Sequence, residues 1–346
     1  MRERKRRVYQ DFSQPPADLA LEVHAPQDGW RLDRFLAAQL RWRSRTAAQR
    51  LIEQGRVLRN GAPERKPARR VAAGDRIVLR VEQQPPAAPE QQQQQQAAEV
   101  PLVPLYEDPL LLVLDKPAGV ICHPVGGKRR GTLIEALHRR YRHPDPGRDR
   151  VPRLCHRLDK DTSGVLVVAL APGVRRRLQW LFEGHRVVKE YLALVEGLWE
   201  RDYEIVELPI GPSRGGPIRI AMEVRPDGLP ARTVVCVEER FAPAPGDRGY
   251  TLVRCSPVTG RQHQIRVHLA ARGHPIVGDT MYGPAGLEFA GFPPGEPVLR
   301  RHALHAWRLQ MPHPLWDEEL DLRAPLPADL QAALEHLRRR PHRQAD

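Results

Sequence analysis

Residues Glu82 to Pro101 read EQQPPAAPEQQQQQQAAEVP. Pro85, Pro86, Pro89 and Pro101, a run of six glutamines and almost no large apolar side chain leave this stretch nothing with which to build a core. It predicts a flexible linker over 83–100, so the chain must fold around two separate cores. A chain of 346 residues is long enough for both. The expected division is a small module over 30–82 and a large one over 101–335. Residues 1–29 and 336–346 are expected to be basic tails.

Charge narrows the class of partner. Lys and Arg number 55 against 42 Asp and Glu, a formal net charge of +13. Such an excess points to a polyanion, either nucleic acid or an anionic membrane surface. No apolar run approaches the roughly 20 residues needed to span a bilayer. The opening MRERKRRVYQDF has no apolar core of the kind a signal peptide carries. Both features predict a cytoplasmic protein. Cys122, Cys155, Cys236 and Cys255 are far apart and form no CxxC pair, so free thiols are expected rather than a zinc site or a disulfide framework.

In the small module Leu32, Phe35, Leu36 and Leu40 share a helical face, as do Ala47, Leu51 and Ile52 behind the capping candidate Ser44. Gly55 stops the second helix. RVLRNG then reads as a strand entering an Asn-Gly turn, and GDRIVLRV as a strand with Ile77, Leu79 and Val81 on one face. Between residues 30 and 82 stand 14 Lys or Arg against five Asp or Glu. A merely soluble surface would mix the signs. Two short helices followed by GRVLRNG and GDRIVL resemble the S4 (α-L) RNA-binding domain, which implies an RNA-facing surface that includes Arg43 and Arg45.

The large module shows short strands alternating with turns, with a helix at GTLIEALHRRY and strands at Leu110–Leu114 and VVKEYLALVEG. This pattern predicts an α+β domain rather than a wound βαβ repeat.

Its centre is HRLDKDTSGVLVVAL, with Asp159 and Asp161 set among basic residues ahead of an apolar run. Turn chemistry alone accounts for Asp161, Thr162, Ser163 and Gly164 but not for His156 and Arg157. A DxDxT phosphatase reading has the polarity reversed, because the apolar strand follows Asp159 instead of preceding it. A metal reading would use His263 with His268, or His302 with His305, yet neither pair comes with an HExxH-type carboxylate.

HRLDKDTSG instead resembles the HRLDxxTSG signature of the RluA-type RNA pseudouridine synthases, most like the S4-bearing RluC/RluD-like enzymes of large-subunit rRNA. DKPAGVICHP, KEYLALVEG, SPVTGRQHQIRVHLAARGHPIVGDTMYG and LHAWRLQMPHP look like the family's other blocks, in its order, over about residues 100–335. The resemblance implies a mixed, largely antiparallel sheet. It also implies isomerisation of uridine to pseudouridine in RNA without a cofactor or metal. Ribosomal RNA, 23S above all, is the expected substrate, with transfer RNA open.

Within that resemblance Asp159 is the catalytic carboxylate. It must work ionised, which a neighbouring arginine would favour. Arg266 is the first choice for that arginine and Arg261 the second. Tyr191 matches the active-site tyrosine, and its ring could stack on an extruded uracil. Arg157 would fill the gap left by the flipped base. His156 is expected to contact RNA, and Lys116, Arg129 and Arg130 to face its backbone. Thr162, Ser163 and Gly164 would shape the turn presenting Asp159. A monomer is the default expectation. A non-catalytic S4-type rRNA-binding or ribosome-assembly factor is the rival from another class.

Overall fold

A computed structural model describes residues 18–40, 44–80, 100–124, 130–143, 145, 149–215, 220–283 and 299–340. It divides into two compact units after Ala97. The expected linker lies outside the described residues apart from Val100, as do residues 1–17 and 341–346.

The small unit runs β1 (Leu19–Glu22), α1 (Leu32–Gln39), α2 (Arg45–Glu53), β2 (Val57–Arg59), β3 (Ala62–Glu64) and β4 (Arg76–Leu79). Its antiparallel sheet has the order β1-β4-β2-β3. Leu32, Phe35, Leu36 and Leu40 are all buried, together with Ala48, Leu51 and Ile52 from α2. Ala48 takes the inward position expected of Ala47. Ser44 Oγ accepts the Ala47 N–H at 3.2 Å and caps α2. The β2–β3 turn places Asn60 and Gly61 at φ 51° and 87°, the left-handed pair that a two-residue hairpin requires.

The N-terminal limit needs correction. Residues 19–22 are not tail but the strand β1, paired from Leu19↔Leu79 to Glu22↔Arg76. Leu19 and Leu21 pack against the small core and Val23 is buried in it. That period-two alternation supplies the strand's inward face.

The large unit continues with β5 (Val103–Glu107), β6 (Leu111–Lys116), α3 (Leu133–Tyr141), β7 (Arg153–Leu154), β8 (Ser163–Ala169), α4 (Pro172–Glu183) and β9 (Val188–Glu196). Next come β10 (Tyr203–Glu207), β11 (Ile210–Pro212), β12 (Met222–Val224), β13 (Arg232–Phe241) and β14 (Tyr250–Pro257). It ends with α5 (Gln264–Ala271), β15 (Leu304–Pro312), β16 (Glu319–Arg323) and α6 (Ala328–Arg338). Leu337 of α6 is buried, so the domain runs past the expected limit at 335.

Ten strands form one sheet along β10-β13-β14-β9-β15-β8-β6-β5, with β16 beside β15 and β7 beside β8. Every strand pairing described in it is antiparallel except β15 with β8. The domain is therefore α+β with a mixed sheet. All seven residues of β8 are buried, which explains why its sequence reads as an unbroken apolar run rather than an alternation.

The parallel join positions the site. Across it, Cys255 pairs with Tyr191, Tyr191 with Ala306, Ala306 with Gly164 and Gly164 with Lys116. Five residues far apart in sequence thus stand in one row. None of the described helices is long and apolar enough to cross a membrane.

Candidate active site

Asp159 lies on the turn that leads into β8, where the Thr162 N–H donates to the Asp159 carbonyl at 3.3 Å. The turn is anchored from behind by β15. Thr162 Oγ1 and His302 Nε2 are 2.8 Å apart, and Ser163 Oγ and His305 Nδ1 are 2.9 Å apart. Burial pushes both imidazoles down to about 4, so they serve as neutral hydrogen-bonding groups. Arg301 donates to the Asp161 carbonyl at 3.0 Å while its Nε and Nη2 grip Asp329. Gly164 completes the turn at φ 110°, where a Cβ would run into the Ala306 carbonyl.

From α5, Arg266 Nη1 donates to Asp159 Oδ2 at 3.1 Å. Its Nε and Nη2 form a fork on the carboxylate of Asp279, at 2.7 and 2.8 Å. Asp279 also accepts the Met281 N–H at 3.0 Å, and its side chain is fully buried. Burial opposes the Arg266 cation, but the bonds to Asp279 and then the charge of Asp159 outweigh it and raise its pKa. Burial likewise acts to raise Asp279, and Arg266 more than reverses it. Asp159 itself keeps 20% side-chain exposure, so solvent reaches it.

His263 precedes α5 in the left-handed region at φ 55°. The Met222 N–H donates to the Tyr282 oxygen at 2.8 Å, and that oxygen lies 2.7 Å from His263 Nδ1. His263 Nε2 lies 3.8 Å from Asp159 Oδ1. Burial lowers the His263 pKa against the pull of Asp159. The Arg266 guanidinium lies 5.0 Å from the centre of the Tyr282 ring.

Tyr191 stands on β9 within the electrostatic reach of Asp159. Burial first, and that negative charge second, raise the pKa of its phenol, which stays protonated. The neighbouring Glu190 accepts from Arg254 at 2.6 Å and from Arg308 at 3.2 Å, fixing β9 between β14 and β15.

Several expected contacts take other roles. Lys116 is not on a loop facing RNA. It is fully buried at the end of β6, where Nζ donates to the carbonyls of Pro117, Val120 and Lys160 at 2.8, 2.9 and 3.1 Å. Burial pushes it down to about 8. His156 is not free to meet RNA either, because its Nε2 accepts the Val167 N–H at 2.9 Å and its ring packs on Phe182 at 4.8 Å. Burial pushes it down to about 3. Arg261 donates to the Pro230 carbonyl at 3.0 Å, and it is Arg266 that reaches Asp159. Arg45 binds the buried Asp33, joining α2 to α1, although its side chain stays 55% exposed. Arg157 and Arg130 are exposed. Arg43 and Arg129 lie outside the described residues.

The histidines of the metal reading are engaged with protein groups. His268 meets Thr233 Oγ1 and the Leu208 carbonyl, both at 2.9 Å, and His305 also meets the Ala324 carbonyl. Two members of the cluster escaped the sequence reading, Asp279 and Tyr282, and His263 was weighed only as a metal ligand. The signal for Asp279 and Tyr282 was present in the quoted GHPIVGDTMYG block, where Asp279 follows a glycine at φ 74°.

A solvent-reached carboxylate with a fixed arginine counter-ion, in a domain preceded by a small basic module, fits an enzyme that acts on nucleic acid. The comparisons make the class particular. The RNA pseudouridylate synthase family profile matches residues 110–271 and the S4 domain profile residues 30–77. The ribosomal large subunit pseudouridine synthase D of Nitrosomonas europaea is 40% identical over 329 residues, covering 93% of this chain and 89% of that one. Synthase C of Escherichia coli is 36% identical, covering 94% and 98%. The human RNA pseudouridylate synthase domain containing 1 superposes with a TM-score of 0.53 at 29% identity, covering 71% of this chain and 98% of that one. Its domain containing 4 counterpart gives 0.54 at 27%, covering 68% and 93%. The chain belongs to the RNA pseudouridylate synthase family and carries an S4 domain. It is an RNA-directed isomerase.

Proposed function

We propose that this chain converts specific uridines of large-subunit ribosomal RNA to pseudouridine, with Asp159 as the catalytic carboxylate. The observation that carries the reading is the Asp159–Arg266 contact at 3.1 Å, built on the buried Arg266–Asp279 fork. The names of the two bacterial relatives support the choice of RNA. We place the enzyme in the cytoplasm and read it as a monomer.

In the reaction the N1–C1′ bond breaks, the uracil turns, and C5 bonds to C1′. The C5 hydrogen leaves as a proton and N1 ends with one. Asp159 serves this by attack on C1′, attack on the base, or removal of a sugar proton. Arg266 gives the carboxylate a counter-ion that does not titrate and holds Oδ2, leaving Oδ1 free for the substrate. Tyr191 offers an aromatic face to the flipped base. Exposed Arg157 is suited to occupy the vacated stack.

Tritium release from 23S rRNA transcripts carrying [5-³H]uridine tests the proposal, because forming the new bond expels that hydrogen. Wild-type protein should release it and Asp159→Asn should not. Equal release by both would mean that the wrong carboxylate has been assigned. Tight binding without release from any rRNA or ribosomal particle would leave a binding factor.

A further inference from the structure

Two branches of structure meet at Asp159. One is the turn that carries the carboxylate, and the other is the Arg266–Asp279 fork that supplies its counter-ion. Residues 301–303 touch both. On the turn side, Arg301 Nη1 donates to the Asp161 carbonyl at 3.0 Å, and His302 Nε2 lies 2.8 Å from Thr162 Oγ1. On the fork side, the Ala303 N–H donates to the Val277 carbonyl at 2.9 Å. The Arg301 carbonyl also fills the space that a Cβ on Gly278 would need, and Gly278 immediately precedes Asp279.

The Arg301 guanidinium fixes this segment. Its side chain is only 9% exposed. Nη1 also meets the His302 and Leu304 carbonyls, both at 3.3 Å, so one nitrogen gathers three carbonyls. Nε and Nη2 are held by the two oxygens of Asp329, at 2.6 and 2.8 Å. A fork of this kind sets the plane of the guanidinium, which a point charge would leave free. Asp329 stands in the first turn of α6, whose Leu330, Ala333, Leu334 and Leu337 are buried in the core that also holds Ile276, Val277 and Leu304. A buried ion pair seldom stabilises a fold more than apolar packing would. What this one adds is direction.

We propose that Arg301 and Asp329 are positioning residues, which set Asp159 against Arg266 from a helix outside the catalytic cluster. This rests on the assignment of Asp159 as the catalytic carboxylate. A displacement of about 1 Å at a reacting group can cost about 10²-fold in rate, and the carbonyl that Arg301 holds is two residues from Asp159.

Single-turnover tritium release from the [5-³H]uridine 23S rRNA transcript, over a series of enzyme concentrations, provides the test. Asp329→Ala should lower the maximal rate about tenfold and change the half-saturating concentration by less than about twofold. Arg301→Lys, which keeps the charge and loses the fork, should do the same. Glu335→Gln breaks a surface pair with Arg339 on the same helix and should leave both numbers within about twofold. Should Arg301→Lys fail to fold, Asp329→Ala carries the test, because that side chain is already partly exposed. A merely structural pair would not couple to the counter-ion. In an Arg266→Lys background, Asp329→Ala should cost less than about threefold, since the geometry it protects is already lost. The full tenfold loss in that background would overturn the proposal. So would a wild-type rate in folded Asp329→Ala, or a loss confined to the half-saturating concentration. Release by Asp159→Asn at the wild-type rate would instead sink the catalytic assignment, whatever the Asp329 variant does.

Discussion

At the scale of single residues, the site addresses the two oxygens of Asp159 separately. Arg266 holds Oδ2, while His263 Nε2 lies 3.8 Å from Oδ1. Arg266→Lys keeps the charge but loses the planar fork that also grips Asp279. It should lower the single-turnover rate by about 10²-fold, whereas Arg261→Gln should change it by less than about threefold, since Arg261 binds the Pro230 carbonyl instead. Comparable losses in both would place the counter-ion wrongly. If the Tyr282 hydroxyl donates to His263 Nδ1, neutral His263 carries its hydrogen on Nε2, toward Asp159. Tyr282→Phe should therefore slow turnover with little change in KM, and His263→Gln should slow it further, by about tenfold. Burial lowers the His263 pKa, so its neutral form prevails above the usual imidazole range of about 6.5. The rate contribution of His263 should be flat from that pH upward and fall only below it. A His263-dependent break above pH 7 would contradict this assignment.

At the scale of elements, the decisive contact is the parallel pairing of β15 with β8. The backbone of β15 passes so close to Gly164 that no side chain fits, and the glycine's φ of 110° is itself hostile to one. Gly164→Ala should lower stability by roughly 2 kcal/mol or more. It should also displace the turn that carries Asp159, so the activity of folded protein should fall as well. Urea unfolding beside single-turnover rates would check this. An alanine variant with wild-type stability would mean that the strands can part cheaply. The signature announced a turn before a buried strand, and both are present. What Thr162 and Ser163 hold on to was not legible, because His302 and His305 lie about 140 residues away in sequence.

At the scale of the whole molecule, the half-buried His156 and the buried His302 and His305 support the loop and the sheet around the site while uncharged. Their pKa values are pushed down to about 3, 4 and 4, below the unfolded value of about 6.5. Between those limits the unfolded chain binds more protons than the folded one, so stability rises with pH across that window. Denaturant midpoints should fall as pH drops from about 6.5 toward 4, with roughly 1–3 kcal/mol per histidine at stake. His305→Gln should shrink the slope, and a flat profile would show these imidazoles to be solvated. The sequence by itself determined the two-module division, the S4-like unit and the α+β class, and the resemblance its motifs carry named Asp159, Tyr191 and either Arg266 or Arg261 as candidates. These depend on local signals: composition, apolar period and contiguous motifs. Only the tertiary structure decided that Arg266 rather than Arg261 meets Asp159, that Asp279 and Tyr282 hold the pair, and that Lys116 and His156 are internal supports. A charged side chain carries no local mark of burial, because its partners come from strands and helices distant in the chain.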